Sequence, residues 1–387
     1  MDVVVAVPAL GAIGGVQSYS ITIAVALERL GHELWLFADE LGAAAELAGR
    51  QGLRVIGTEA ELPASCDAVL AQDGASAVEM KDRYGETPVV LVGHIPDLDG
   101  YWAPQLEGVV ASAVAMNDRV ATRLESLAVA PEVSRLRQPI DLQLFQPRGA
   151  LSDRPRRVLL LGNHLQGPRR DIVTAACEEL GLHWTQAGSH GEATLEPQQA
   201  IAEADIVVAY ARSLLEAMAC GRAAYQFDFD GTDGWMTPES YPGMEADGFR
   251  GLATDRPVDA ERLRLDLREY RPHMGPANRD LVRRHHNALD HAGELLRLME
   301  RAARRPPPSR ESSAEVARLL RRETALLAQT REVQRHLQDL HARLGAAEAR
   351  SQAAEERLGW LTSTRRWRLA SRIGGAADRL RSLLRRS

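Results

Sequence analysis

Apolar and polar residues follow two alternating periods along most of this chain. Short apolar runs read as buried strands: Met1–Val7, Glu33–Ala38, Val89–Val92, Val109–Ala113, Val158–Leu161 and Ala204–Ala209. Between them the apolar positions move to helical spacing, as at Ile21, Ala24, Val25, Leu27 and Leu30 before Gly31, and again over Val120–Leu127. Strand and helix patterns alternating to about residue 300 predict βαβ units and parallel sheets. The polar stretch Arg148–Arg157, with Gly149 and Pro155, reads as a linker. It divides a first Rossmann-like domain, 1–147, from a second, 157–304. After Pro306-Pro307-Pro308 the period changes again. Val316, Leu319, Leu326, Val333, Leu337, Leu340, Leu344, Ala347, Ala354 and Leu358 recur at spacings of three and four, interrupted by Glu323, Thr330 and Ser351. This seam, 310–358, predicts a coiled coil or a helix docked on the body; a parallel dimer is the expectation taken forward. In the last segment, 360–387, Trp367 precedes a stripe of Leu369, Ile373, Ala377, Leu380 and Leu384, the pattern of a basic amphipathic tail.

Composition narrows this picture. With 387 residues and 45% hydrophobic content, the chain can build two α/β cores and further helix. Its formal charge of −6 is uneven: from Leu361 onward eight arginines face Asp378 alone, a tail of +7 that leaves −13 for the rest. An acidic body with a basic end implies a separate partner for that end. An anionic membrane surface is the expected one, with a partner helix as the alternative. Nucleic acid is not expected, because no recognised nucleic-acid fold or aromatic platform accompanies the arginines. The three cysteines, Cys66, Cys177 and Cys220, form no Cys-x-x-Cys pair. That argues against a zinc ribbon or a disulfide framework. With no basic leader before the first strand and no apolar run near the ~20 residues of a membrane span, the expected location is cytoplasmic, with peripheral attachment to the inner face of the plasma membrane.

Two motifs carry candidate chemistry. Arg212-Ser-Leu-Leu-Glu-Ala-Met-Ala-Cys-Gly221 places Glu216 on a short helix after an apolar strand. Ligands of open α/β sheets bind beyond the carboxyl ends of the strands, so Glu216 is expected to face the crevice. A carboxylate there accepts hydrogen bonds from the hydroxyls of a sugar or ribose; the blander role is a favourable acid on a helix. Near the N-terminus, Gly11-Ala-Ile-Gly14-Gly15-Val-Gln17 is a glycine-rich turn before a helix, able to let backbone approach a phosphate. Its spacing is not Gly-x-Gly-x-x-Gly, which argues against NAD.

Taken together, these motifs resemble the GT-B glycosyltransferases of family 4, over roughly residues 1–300. The resemblance implies an α/β GT-B fold of two Rossmann-like domains, here followed by the coiled coil and the amphipathic helix. It implies transfer of a sugar from a nucleotide-sugar donor to a glycan or lipid-linked acceptor in surface-polysaccharide assembly, with retention at the anomeric carbon, no metal and no cofactor beyond the donor. Glu216 matches the glutamate that binds the donor ribose, and Gly14 and Gly15 match the loop that closes over donor and acceptor. His94 matches the histidine beside the donor sugar. Asn117 stands where a serine is common, and Pro139-Ile140-Asp141 matches an Asn-Gly-Ile-Asp segment without its asparagine. Arg169 and Arg170 stand near the position of a lysine, and either guanidinium suits a diphosphate. Gly231 and Gly234 lie in a segment, Asp228–Glu239, similar to the Asp-Gly-Trp-Val-Thr-Pro-Glu loop of a bacterial subgroup. The tail from Thr362 resembles a Ser-Trp-Arg-Leu-Thr motif of polysaccharide-assembly proteins. Two departures stand out: the first acid of the Glu-x7-Glu motif is Val208, and Asn163 replaces an arginine. They favour a rival class, a non-catalytic scaffold acting through its coiled coil and tail; the intact Glu216 and glycine loop oppose it.

Overall fold

The computed structural model describes residues 1–162, 165–188, 196–227, 231–254, 256, 259–304 and 314–363. Asn163, Asp228, Asp230, the triple proline and the tail from residue 364 lie outside the described residues. The first domain runs β1 (Asp2–Ala6), α1 (Gly15–Arg29), β2 (Glu33–Phe37), α2 (Ala43–Arg50), β3 (Val55–Ile56) and β4 (Ala68–Ala71). It continues through α3 (Gly74–Tyr84), β5 (Val89–Gly93), β6 (Ser112–Ala115), α4 (Asp118–Glu125) and β7 (Glu132–Arg135). Its seven strands form one parallel sheet in the order β3-β2-β1-β4-β5-β6-β7. The central strands are buried on both faces, which is why they read as unbroken apolar runs.

The second domain runs β8 (Arg157–Leu161), α5 (Gly167–Glu179), β9 (His183–Ala187), α6 (Pro197–Glu203), β10 (Ile206–Ala209) and α7 (Ala211–Ala219). It closes with β11 (Ala223–Gln226), β12 (Gly234–Trp235), α8 (Tyr241–Asp247), α9 (Ala260–Arg268) and α10 (Met274–His285). Five strands order as β12-β11-β10-β8-β9, parallel except for β12. Strand order reverses between β1 and β4 in the first sheet and between β8 and β10 in the second. Those two switch points are where open α/β sheets leave a crevice beyond the strand ends.

Two helices beyond the second sheet pack on the first domain. Helix α11 (Ala288–Ala303) packs its Ala292, Leu295, Leu298 and Met299 into the core of α1 and β1, so the chain crosses back to the first domain. Helix α12 (Ala314–Ser363) does not begin as a free coiled coil. Its Ala317 is fully buried beside Val78 and Val109 of the first domain, and Leu320 packs there too. Arg321 bonds Glu79 through Nε at 2.6 Å, with Asp39 at 3.5 Å. An amphipathic repeat states that a helix has an apolar face, not what covers it. The molecule divides into a unit of residues 1–329 and a unit of residues 330–387. No described helix is long and apolar enough to cross a membrane.

The crossing strands of the chain lie side by side. Ile140 N donates to His286 O at 2.7 Å and Ala288 N to Ile140 O at 3.1 Å. His286 Nδ1 donates to Gln138 O at 2.7 Å, and His291 Nδ1 to Arg137 O at 2.8 Å. A carbonyl only accepts, so Nδ1 carries a proton in each ring, and in the neutral ring Nε2 is then the acceptor. His286 takes the hydroxyl of Tyr241, from the second domain, at 3.0 Å. His291 takes that of Tyr19, from α1, at 2.9 Å. Burial holds their pKa values down, at about 3 for His286 and about 4 for His291, which keeps the hinge uncharged.

Candidate active site in the interdomain cleft

At the first switch point, Gly14 caps α1 in extended conformation with Gly15 as the first helical residue. A side chain at Gly14 would meet Gln17 Oε1 at 2.8 Å, whereas Gly15 faces open space. The Gln17 side chain folds back over this turn, its Nε2 donating to Ala9 O at 3.0 Å, and the space beside Gly15 is open. Next to it, β4 ends in buried Gln72, and Asp73 caps α3 by accepting from Ser76 N at 3.0 Å. From the end of β5, His94 Nε2 donates to Gln72 Oε1 at 2.8 Å. Its ring sits edge-on to Tyr19 with centroids 5.0 Å apart. Surrounding protein pushes His94 down to about 3, although one edge stays accessible. His94 is therefore neutral, with Nδ1 as an acceptor for a hydroxyl. Gln72 Nε2 has no hydrogen-bond partner among the described residues.

At the second switch point, β10 delivers the chain to α7. Ala211 takes φ of +46°, unusual for a residue with a Cβ, and its N–H donates to Phe249 O at 3.1 Å. Glu216 lies mid-helix and is buried. Its Oε1 accepts from Arg212 Nε at 2.8 Å, one helical turn earlier. The other two arms of Arg212 cross the domain boundary: Nη1 to Pro139 O at 2.9 Å and Nη2 to Thr22 Oγ1 of α1 at 2.8 Å. Burial raises the pKa of Glu216, and the adjacent guanidinium opposes that rise. Val208, where the missing acid would stand, is fully buried in the sheet core.

The arginine pair separates. Arg170 stacks over Trp184 of edge strand β9, 5.1 Å from the ring centroid, while Arg169 is half-buried in the first turn of α5. Gly231 and Gly234 are both buried, and protein packing accounts for their lack of side chains. A Cβ on Gly231 would lie 2.4 Å from Gly251 O, and Gly234 has φ of +81° under Arg256. On the far flank, Arg135 reaches Glu245 of α8 at 2.5 Å, and Arg119 reaches Asp247 at 3.7 Å. Asn117 caps α4, accepting from Val120 N at 2.9 Å, and its side chain lies against Gly248.

Gly14, Gly15 and His94 sit at strand ends of the first domain and Glu216 on the helix after β10 of the second, and Arg212 ties that helix to α1. Sequence reading passed over Gln72, Tyr19, His286 and His291, which meet only through contacts far apart in the chain. Arg212 stands in the same motif as Glu216, one helical turn before it.

No family model matches the chain, and no curated protein matches it in sequence. Solved structures do. Anabaena Alr3699/HepE in complex with UDP-glucose superposes with a TM-score of 0.55 at 11% identity, over 77% of this chain and 99% of that one. The same protein with UDP and glucose gives 0.54 at 12% identity, over 77% and 99%. An alpha-glucosyltransferase in complex with UDP and a 13-mer DNA containing an HMU base gives 0.53 at 11% identity, again over 77% and 99%. At such identities the likeness is one of fold. The chain has the GT-B fold, two Rossmann-like domains with a long C-terminal helix.

Proposed function

We propose that the chain is a glycosyltransferase that moves a sugar from a nucleotide-sugar donor to a glycan or lipid-linked acceptor, with retention, in surface-polysaccharide assembly. The observation that carries this reading is Glu216: a buried carboxylate on the helix that follows the switch-point strand of a GT-B fold, held by Arg212. The solved structures of this fold crystallised with UDP and UDP-glucose support the donor class. Glu216 would accept the ribose hydroxyls. Arg169 or Arg170 would meet the diphosphate, where fixed positive charge stabilises a departing phosphate. His94 Nδ1 would accept from a sugar hydroxyl, and Gly14 and Gly15 would let the loop approach the donor. Domain closure would then exclude water from the donor. In this reading the seam of α12 joins two copies of the chain, and the +7 tail rests on an anionic membrane surface at the cytoplasmic face. The glycan or lipid acceptor approaches from the first domain.

Binding of UDP, GDP, ADP and CMP sugars to the purified protein, by calorimetry, tests the reading. One nucleotide-sugar should bind, and Glu216→Ala should weaken it by about 1.5–3 kcal/mol, the worth of a hydrogen bond to a charged group. A fully folded protein that binds none of them is the non-catalytic scaffold.

A further inference from the structure

Arg212 opens the motif that carries Glu216, and all three of its nitrogens are spent. Nε faces the carboxylate of Glu216, Nη1 the carbonyl of Pro139 in the crossing segment 137–141, and Nη2 the hydroxyl of Thr22 on α1. Both Arg212 and Glu216 are buried, so neither charge is satisfied by water. A guanidinium is a rigid planar fork, and three bonds in three directions fix its plane. That plane in turn fixes Glu216 Oε1. Two of its three anchors belong to structure outside the second domain. Any displacement of α1 or of the crossing segment relative to α7 therefore tilts the fork and moves or releases the carboxylate.

We propose that Arg212 is a positioning residue that couples the placement of the two domains to the readiness of Glu216: the carboxylate is oriented toward a nucleotide only while Thr22 and Pro139 hold the guanidinium. The inference rests on Glu216 being the nucleotide contact. Its novelty is that the first domain, through Thr22, governs an affinity located in the second. The crossing segment supports this geometry. Pro139 adjoins the carbonyls of Arg137 and Gln138 that His291 and His286 grip, so the Nη1 anchor moves with the crossing point itself. Arg29 adds a second tie between α1 and this segment, bonding Asp141 at 3.0 Å. The arm to Thr22 is thus set by a braced helix.

The test uses the full chain, with UDP as the probe. Thr22→Val keeps the shape of the side chain and removes only the Nη2 acceptor. It should weaken UDP binding about tenfold, the equivalent of losing one hydrogen bond to a charged group. Arg212→Met should weaken it at least as much, and Thr22→Val added to Arg212→Met should then have no further effect. That non-additivity is the mark of one path through Arg212. Hydrogen exchange at residues 16–30 gives a readout independent of ligand and should rise in both variants. If Thr22→Val still costs tenfold in the Arg212→Met background, Thr22 acts by another route and the coupling is wrong. If Thr22→Val leaves UDP affinity unchanged while Glu216→Gln lowers it, the coupling fails and the nucleotide role of Glu216 stands. If Glu216→Gln changes nothing, the nucleotide reading itself falls, and the coupling falls with it.

Discussion

Ala211 is the residue at which this chain tolerates strain in order to start α7. Its φ of +46° is a left-handed conformation that costs a residue with a Cβ roughly 1–2 kcal/mol. Glycine removes that cost but gives back about 0.4–1 kcal/mol through a freer unfolded chain. Ala211→Gly should therefore stabilise the protein by up to about 1 kcal/mol, seen as a small rise in melting temperature. A fall would show that the methyl group packs better than the backbone is strained. The hinge histidines give a second residue-scale expectation. His286 and His291 have folded pKa values near 3 and 4, below the ordinary 6.5, so unfolding takes up protons below about pH 6.5. Their contribution is fully present above that pH and is lost as the pH falls toward 4, at about 1.4 kcal/mol per pH unit for each ring. Melting temperatures of the wild type and of His286→Asn between pH 7.5 and 5 check this, and the variant should show the shallower decline. Glu216 and His94 could be singled out at this scale because each stands in a local stretch of sequence, Arg212–Gly221 and Gly93–Pro96. Gln72 and Tyr19 could not, since each meets His94 only through the folded sheet, at separations no spacing rule spans.

Among the elements, the alternating strands and helices were legible because a strand buried on both faces must be a continuous apolar run. The partners of the last two helices were not. The face of α11 is clear from the sequence, but the choice of α1 as its cover is made by the crossover through the hinge. In α12 two faces coexist. The turn that carries Ala317, Leu320, Arg321 and Thr324 meets the first domain, and Gly100 is bare because a Cβ there would overlap Thr324. The heptad seam lies on another face, with Val316, Leu319, Leu326, Val333 and Leu337 all exposed. Only the seam has a regular repeat, so only the seam announced itself. Ala317→Asp should undock the start of α12, because an uncompensated buried charge costs about 3–5 kcal/mol and a terminal helix can leave instead. Hydrogen exchange should then rise over residues 314–329 with the two sheets still protected. Unchanged protection of that segment would mean that Arg321, Glu79 and Asp39 hold the helix without its apolar contact.

For the whole molecule, the compact unit that holds both sheets extends to Gln329. A chain cut at Pro306 would lose Ala317 from the first-domain core and expose the apolar surface it covers, whereas a chain ending at Gln329 keeps that contact. The removed part, 330–387, holds Val333, Leu337, Leu340, Leu344 and Leu358, an exposed stripe that a single helix leaves in water. Charge register favours a parallel pair of such helices. Arg343, Arg350 and Arg357 each precede a seam position, so antiparallel pairing would set arginines against one another, while parallel pairing sets Arg350 against Glu355 of the second copy. The full chain should therefore be a dimer, and its two +7 tails should bind anionic vesicles more tightly than one, because the second attachment is intramolecular. The chain ending at Gln329 should be a monomer that no longer binds vesicles, yet binds UDP with the affinity of the full chain, since Glu216, Arg212 and Thr22 all lie in the retained part. Sedimentation, vesicle flotation and calorimetry on the same two proteins read the three properties separately. A dimer that persists at residue 329 would place the self-association on the GT-B body, and a loss of UDP binding would place part of the nucleotide site in the removed segment.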